Sequence, residues 1–124
     1  MIVLAIDYGR KRIGLALAVN GVIETRGFIE GQNRKQVFLK IREVCQKGEV
    51  EQIIIGLSRG KMGQEIRGFA KGLKEVVKLP IKLIDETLTT WQAEKMVGWK
   101  NKGKVDTVAA ALILERYLDQ LAFN

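Results

Sequence analysis

The sequence predicts an α/β protein in which one mixed five-stranded sheet, with strand order 3-2-1-4-5, is flanked by helices. Two observations carry this prediction. Residues 2–6 and 52–57 are almost wholly apolar, which is typical of strands covered on both faces. Between and after these runs, apolar residues recur at helical spacing. The 124 residues suffice for one compact domain, expected over residues 1–124, and are too few for two.

Three antiparallel strands are predicted first, at about residues 2–8, 13–19 and 22–30. The pair Asn20-Gly21 is a strong signal for a two-residue hairpin turn, because both residues tolerate positive φ. In the third strand, alternation predicts that one side carries Ile23, Thr25, Gly27 and Ile29.

Helices and strands then alternate. Asn33 is predicted to cap a helix that begins at Arg34 and ends at Gly48, with Cys45 on its apolar stripe as a buried core thiol. Strands 1, 4 and 5 are expected to be parallel and to end at one edge, outside which ligands of α/β sheets bind. The remaining predicted elements are a strand at 52–57, a helix carrying Ile66 to Val77, a strand at 81–84, a short helix capped by Thr89 or Thr90 and ending near Val97, and a last helix from Val105 to about Leu121.

The composition favours some functions and excludes others. The formal charge of +7, from 21 Lys and Arg against 14 Asp and Glu, favours a polyanionic partner such as nucleic acid. The chain has no histidine and one cysteine, which excludes Ser-His and Cys-His nucleophiles, an internal disulfide and zinc sites built from several Cys or His. Because neither a membrane-spanning run nor a signal-peptide pattern is found, a cytoplasmic protein without membrane attachment is expected.

Acidic residues are predicted at the ends of two parallel strands and at the start of the last helix. Asp7 follows the first apolar run, Asp85 and Glu86 follow the fifth strand, and Asp106 is expected in the first turn of the last helix. Taken singly, each is also explained as a turn residue or as an acid favoured by a helix N-terminus. Their convergence at one edge predicts a catalytic metal site for phosphodiester hydrolysis, because carboxylates without histidine suit Mg²⁺ or Mn²⁺. The predicted ligands are Asp7, Glu86, Asp106 and Asp85.

Basic residues border the same predicted edge, where they would hold a nucleic-acid backbone over the acids. Solvated turn residues are the alternative interpretation of each group. Trp91 and Trp99 could stack on bases, although packing within the fold is the simpler interpretation. The basic groups are Arg10, Lys11 and Arg12 after the first strand, Arg59 and Lys61 after the fourth, and Lys100, Lys102 and Lys104 before Asp106.

Four stretches of the sequence, IDYGRKRIGLAL, IIIGL, DETLTT and VDTVAAALIL in this order, resemble the YqgF family, also called RuvX. The resemblance covers nearly the whole chain. It implies a ribonuclease H-like fold akin to Holliday junction resolvases, and a Mg²⁺-dependent nuclease that trims the precursor of 16S ribosomal RNA, with ribosomal precursor particles as a further partner. The family's acids match Asp7, Glu86 and Asp106. Arg12 is the basic residue matched by the family motif, and the other predicted substrate-binding residues are Gly9, Lys11, Arg59, Lys61 and Lys104.

The sequence also departs from the family pattern. Thr87 stands where members usually have Arg, Val19 replaces a common Asp, and the loop at 56–63 lacks the family's proline and acid. The alternatives are a resolvase of branched DNA, a nucleic-acid-binding protein that keeps the fold without turnover, and an ATP-binding domain of the sugar kinase and actin type. The last type binds nucleotide between two such domains, whereas this chain has the length of one.

Overall fold

The structure, a computed structural model, describes residues 1–30, 33–58, 60–85 and 102–122. In the last of these segments it describes the side chains of residues 108–118. The short helix predicted to end near Val97, together with Trp91 and Trp99, lies outside the described residues. The described elements are β1 (Ile2–Asp7), β2 (Arg12–Val19), β3 (Val22–Glu30), α1 (Arg34–Gly48), β4 (Gln52–Leu57), α2 (Lys61–Val77), β5 (Ile81–Asp85) and α3 (Lys102–Ala122).

The predicted strand order is confirmed. The sheet has the order β3-β2-β1-β4-β5, with β1 antiparallel to β2 and parallel to β4, and β4 parallel to β5. All but the first residue of β1 are buried, as its continuous apolar run predicts. We call the edge at which β1, β4 and β5 end the carboxyl edge.

The two faces of the sheet are covered by different helices, and alternate residues of each strand serve one face or the other. On the α1–α2 side, Leu4 and Ile6 of β1 pack with Phe69 of α2. On the α3 side, Val3 and Ala5 pack with α3. The α1–α2 side contains large residues, including Leu4, Ile6, Ile41, Ile53, Ile55, Ile66, Phe69 and Leu73, whereas the α3 side includes five alanines, Ala5, Ala16, Ala18, Ala110 and the partly buried Ala111.

The predicted alternation of β3 is wrong in its second half. Ile23 packs on the α3 side, but Ile29 packs on the α1–α2 side. The cause is a bulge: Phe28 pairs with Gly14 and Thr25 with Ala16, so β3 has one residue more than β2 between these pairs. Gly27 has φ +74 within this bulge, a conformation that favours glycine. The extra residue moves Ile29 to the other face.

The local turn and cap signals are confirmed. Asn20 and Gly21 have φ of 51° and 86°, as a two-residue hairpin of the I′ type requires. The side chain of Asn33 accepts a hydrogen bond from the backbone N–H of Gln36 at 3.2 Å and so caps α1. The helix ends at Gly48, and the following Glu49 takes the left-handed conformation, with φ 53°.

The direction of α3 is fixed by its C-terminal half. Tyr117 donates a hydrogen bond from its hydroxyl to Oε1 of Gln52, the first residue of β4, at 2.8 Å. The ammonium group of Lys82, near the start of β5, lies 5.4 Å from the centre of the Tyr117 ring. The end of α3 therefore lies where β4 and β5 begin, and its start points toward the carboxyl edge. Among the helices in the described part of the chain, none is long and apolar enough to cross a membrane.

Candidate active site at the carboxyl edge

Asp7 is the last residue of the central strand, and its side chain is buried. It is 7% exposed, and among the described residues it is the one buried side chain that is polar or charged. In β1, Val3 and Ala5 face α3, so the alternation of the strand directs Asp7 to the α3 side as well. A carboxylate in such a place costs free energy unless cations or hydrogen-bond donors compensate its charge. This placement is unusual for a residue with a purely structural role.

Asp85 ends β5 at the same edge but belongs to the other side of the sheet. It pairs in register with Leu57, which packs on the α1–α2 side, as do Ile81 and Leu83 of its own strand. Asp85 is exposed. Asp7 and Asp85 therefore share the edge but not the side. Glu86, predicted as the metal ligand, lies outside the described residues.

Asp106 lies in α3, although not in the first turn. The helix begins at Lys102 rather than Val105, so the predicted first-turn position is wrong and Asp106 falls at the start of the second turn. Position 106 precedes Ala110, Ile113 and Tyr117 by four, seven and eleven residues, the repeat of one helix face. These three residues are buried on the α3 side of the sheet.

The level of Asp106 along the sheet follows from the contact between Tyr117 and Gln52. Eleven residues of helix span about 17 Å, and the five steps from Gln52 to Leu57 also span about 17 Å of strand. The backbone of Asp106 is thus at the level where β4 ends. It therefore shares with Asp7 both the carboxyl edge and the α3 side.

The residues present fit a hard divalent cation. Because the chain has no histidine, the candidate ligands are the carboxylate oxygens of its acids. Such oxygen ligands suit Mg²⁺ or Mn²⁺. Asp7, a buried carboxylate at the carboxyl edge, is suited to be one ligand of such a cation. Where side chains are described, no three acidic or cysteine side chains form a group that could hold a metal ion. Asp7 and Asp85 are among these described side chains, whereas Glu86 and the side chain of Asp106 are not.

The turn after Asp7 is held by Gly9. A side chain at this position would place its Cβ 2.5 Å from the backbone oxygen of Arg12, so only glycine fits without a shift of the turn. Lys11 is exposed in the turn, and Arg12, half-buried, begins β2 opposite Glu30. Arg10 donates its Nε–H to both carboxylate oxygens of Glu65, at 3.2 and 3.1 Å. Three basic residues thus follow the buried aspartate, and one of them is tied to α2.

The other predicted cations are described to different extents. Lys61 is exposed and begins α2, just beyond the end of β4 at the carboxyl edge. Lys102 and Lys104 lie in the first turn of α3. Arg59 and Lys100 lie outside the described residues.

A small pocket of about 220 Å³ beside the turn contains residues that the sequence did not single out as functional. Arg34, at the start of α1, donates a hydrogen bond to the hydroxyl of Tyr8 at 3.4 Å and lies 5.8 Å from the centre of the Phe69 ring. Tyr8 packs on Phe69, with ring centres 4.7 Å apart. The signal for Arg34 was its place at the start of a helix that begins at the carboxyl edge. The pocket is lined by Tyr8, Gly9, Arg10, Ile13, Arg34, Val37, Glu65 and Phe69.

Cys45 is a core residue, as its place on the apolar stripe predicts. It is 5% exposed, and burial raises the pKa of its thiol to about 11. A thiol with so high a pKa is a poor nucleophile at neutral pH.

The strand order, the buried aspartate at the end of the central strand and a last helix that begins at the same edge define a protein with the ribonuclease H-like fold. The family model described as RuvX, Holliday junction resolvase, matches residues 1–120. The chain belongs to this family, and the predicted resemblance is confirmed.

Individual relatives agree with this assignment. The chain is 36% identical over 132 residues to a protein of Endomicrobium trichonymphae, with 94% of each chain covered. It is 33% identical over 135 residues to a protein of Clostridium acetobutylicum, with 98% of this chain and 100% of the relative covered. Both relatives carry the name "Putative pre-16S rRNA nuclease". The predicted class, a nuclease, is thus the class by which the family and these relatives are named.

Among solved structures, the chain is similar to RuvC of Thermus thermophilus in complex with a Holliday junction substrate. The TM-score is 0.61 at 16% identity, with 97% of this chain and 96% of that chain covered. At this identity the similarity supports the fold, which is the predicted one.

Proposed function

We propose that this protein is a divalent-metal-dependent nuclease that hydrolyses phosphodiester bonds of RNA at the carboxyl edge, with Asp7, Glu86 and Asp106 as catalytic metal ligands. The observation that carries the proposal is the direction of α3. It brings the backbone of Asp106 to the edge and side of the sheet that Asp7 occupies. This supports the proposal, because Asp7 and the backbone of position 106, which are 99 positions apart in the sequence, then share one edge and one side of the sheet.

Glu86 is the better candidate than Asp85 for the third ligand. Ile84 packs on the α3 side, and Glu86 follows it by two residues, which is the repeat of a strand. Asp85 belongs to the α1–α2 side, together with Leu57 and Leu83. The spacing therefore favours Glu86 as the partner of Asp7.

Each group of residues has a distinct task in this proposal. The carboxylates of Asp7, Glu86 and Asp106 supply oxygen ligands, and their mutual repulsion favours a bound cation. When bound, a hard divalent cation polarises the scissile phosphate and makes an attacking water more acidic. Lys11, Arg12 and Lys61 bind the phosphates on either side of the cleaved bond, and Arg59 and Lys104 are further candidates. Gly9 permits the tight turn that follows Asp7, because a Cβ there would clash with the backbone oxygen of Arg12.

We propose precursor 16S ribosomal RNA as the substrate, and ribosomal precursor particles as the setting, in the cytoplasm. The names of the relatives support this choice, and their coverage of the chain is nearly complete. Cleavage of a Holliday junction is the second candidate, favoured by the description of the family and by the similarity to RuvC.

The test is a cleavage assay with labelled precursor RNA, single-stranded RNA and a four-way DNA junction, with Mg²⁺, Mn²⁺ or EDTA. We expect metal-dependent cleavage of the RNA. The substitutions Asp7→Asn, Glu86→Gln and Asp106→Asn should each slow cleavage at least about a thousandfold, because each removes a metal ligand. Far-ultraviolet circular dichroism should show that the variants remain folded.

Asp85→Asn is the matched control, since it removes an acid from the same edge but from the other side. It should cleave within about threefold of the wild type. If the wild type binds RNA but cuts no substrate with either metal, the chain is a binding protein that keeps the fold. Preferred cleavage of the four-way junction would replace the RNA substrate with branched DNA.

A further inference from the structure

The two helices on one side of the sheet carry most of the net charge of the chain. Helices α1 and α2, together with the residues that directly follow them, Glu49 and Lys78, contain ten Lys and Arg and four Glu, a formal charge of +6. The rest of the chain has 11 basic and 10 acidic residues, a charge of +1. We call the two helices with Glu49 and Lys78 the α1–α2 layer. With the exception of Lys61, its cations are not among those predicted to border the carboxyl edge.

Most cations of the α1–α2 layer are not engaged by acids of the layer. Two of its four carboxylates are engaged in ion pairs: Glu43 with Lys47 at 2.8 Å, and Glu65 with Arg10, outside the layer, at 3.1 Å. The layer therefore presents a large excess of positive charge to solvent. All ten cations belong to the exposed class: Arg34, Lys35, Lys40, Arg42, Lys47, Lys61, Arg67, Lys71, Lys74 and Lys78.

The layer is also concave. A cavity of about 720 Å³ lies between α1 and the end of α2. Its lining combines apolar residues such as Phe38 and Leu79 with three cations, Lys35, Arg42 and Lys78, and two acids, Glu49 and Glu75. Arg42 lies eight residues after Arg34, about 12 Å along α1 from the carboxyl edge. The groove is thus distinct from the acid site, on the opposite side of the sheet.

We propose that the α1–α2 layer is a docking surface for the phosphate backbone of structured RNA, with Lys35 and Arg42 as contacts at the groove. Charge complementarity selects the partner: a surface of +6 attracts a polyanion and repels the same surface of a second copy of the chain. The choice of RNA among polyanions rests on the proposed function. On this account the carboxyl edge cleaves, while the layer holds a part of the RNA that is not cleaved.

The test measures RNA binding in EDTA, where no cleavage takes place, over a series of salt concentrations. The probe is a labelled RNA hairpin with a single-stranded tail. The variant Lys35→Gln/Arg42→Gln removes two cations of the layer. Its matched control, Arg26→Gln/Lys82→Gln, removes two exposed cations of β3 and β5 and reaches the same net charge of +5.

The layer variant should bind the hairpin at least about tenfold more weakly than the control. The slope of log affinity against log salt should fall by about two, since each phosphate contact contributes close to one. The control should keep the slope of the wild type. The docking proposal would be overturned if the wild type and the layer variant had equal slopes. It would also be overturned if the layer variant and the control lost equal affinity for the hairpin.

A second measurement separates this proposal from the nuclease itself. An RNA dinucleotide carries only the phosphate that is cleaved, so it has no further phosphate that the groove could bind. With Mn²⁺, the layer variant should cleave it at the rate of the wild type but cleave the tailed hairpin more slowly. Slower cleavage of the short RNA would contradict a docking role for Lys35 and Arg42. Failure of the wild type to cleave any RNA would overturn the proposed function and leave the binding result unaffected.

Discussion

Leu4 and Ala5 are neighbours in β1, yet they belong to different environments on the two sides of the sheet. Leu4 is fully buried among the large side chains of the α1–α2 side. Ala5, also fully buried, faces α3 in a cluster with Ala16, Ala18 and Ala110. Small residues let a helix approach a sheet closely, whereas large ones fill a thicker layer.

This difference extends to function. The α3 side, to which β1 and β2 contribute alanines, carries Asp7 and the backbone of Asp106, and the position of α3 against the sheet sets the distance between them. The side with large residues carries the excess positive charge on its outer surface. The α3 side should therefore be sensitive to geometry, and the α1–α2 side should contribute mainly to stability and to binding.

The largest effect on stability is expected from Leu4→Ala. Removal of a fully buried leucine side chain leaves a cavity among Ile6, Ile53 and Phe69, which should lower the free energy of unfolding by about 2–5 kcal/mol. Urea unfolding followed by circular dichroism measures this loss. At urea concentrations below the unfolding transition, the rate of RNA cleavage per folded molecule should stay close to that of the wild type, because the α3 side is unchanged.

Ala5→Leu, a small-to-large substitution at the next residue, should affect the rate of cleavage more than the stability of the fold. Ala5→Leu inserts three carbons between β1 and α3, and overpacking of this kind costs about 1–3 kcal/mol of stability. A shift of α3 by about 1 Å would slow RNA cleavage about a hundredfold. Single-turnover cleavage at saturating protein separates this effect from binding. A variant that loses stability but not rate would show that the position of α3 is not critical.

A smaller effect on stability is expected from the ionisation of Cys45, on the α1–α2 side, at alkaline pH. The buried thiol of Cys45 has its pKa raised from 9.0 to about 11, so the folded state retains the proton more strongly than the unfolded state. Its contribution to stability is present below pH 9 and is lost as the pH rises from 9 to about 11, by an amount on the order of 2 kcal/mol. Urea midpoints of wild type and Cys45→Ala across this range isolate the effect. Parallel pH profiles for the two proteins would contradict it.

The smallest effect is expected at the surface of the α1–α2 side. Lys47 and Glu43 form an i, i+4 ion pair in α1, and the pair raises the pKa of Lys47 through its hydrogen bond and charge. Because both side chains are exposed to solvent, Lys47→Gln should leave the urea midpoint at neutral pH within the error of measurement. A clear shift of the midpoint would show instead that this ion pair stabilises α1.

The fold could be predicted from the sequence because its central strands and its hairpin turn have clear sequence signals. The run of residues 2–6 is apolar at every position, and Asn20-Gly21 marks the hairpin, so the order 3-2-1-4-5 follows from few assumptions. The predicted start of α3, Val105, is three residues late because Lys102, Gly103 and Lys104 have the composition of a loop. The side of Ile29 was wrong because a bulge changes the alternation without a change in hydropathy.

The candidate site could be predicted in part. Asp7 stands out because an acid directly follows a buried run. The direction of α3, which brings the backbone of position 106 to the carboxyl edge, depends on the contact of Tyr117 with Gln52, which the sequence does not show. The side on which Asp85 lies could not be predicted, since the sequence does not say which helices cover each side of the sheet at β5. The sequence also does not show that most of the net charge lies on one side of the sheet, because the cations are spaced along two separate helices that meet only in the folded layer.

Binding of Mn²⁺ tests the central claim most directly, because it reports on the acids without the need for a substrate. Electron paramagnetic resonance measures free Mn²⁺ in titrations of the wild type, Asp7→Asn and Asp85→Asn. The account predicts saturable binding to the wild type, a loss of at least tenfold in affinity for Asp7→Asn, and wild-type affinity for Asp85→Asn. Unchanged binding to Asp7→Asn, with loss in Asp85→Asn, would contradict it and move the metal site to the other side of the sheet.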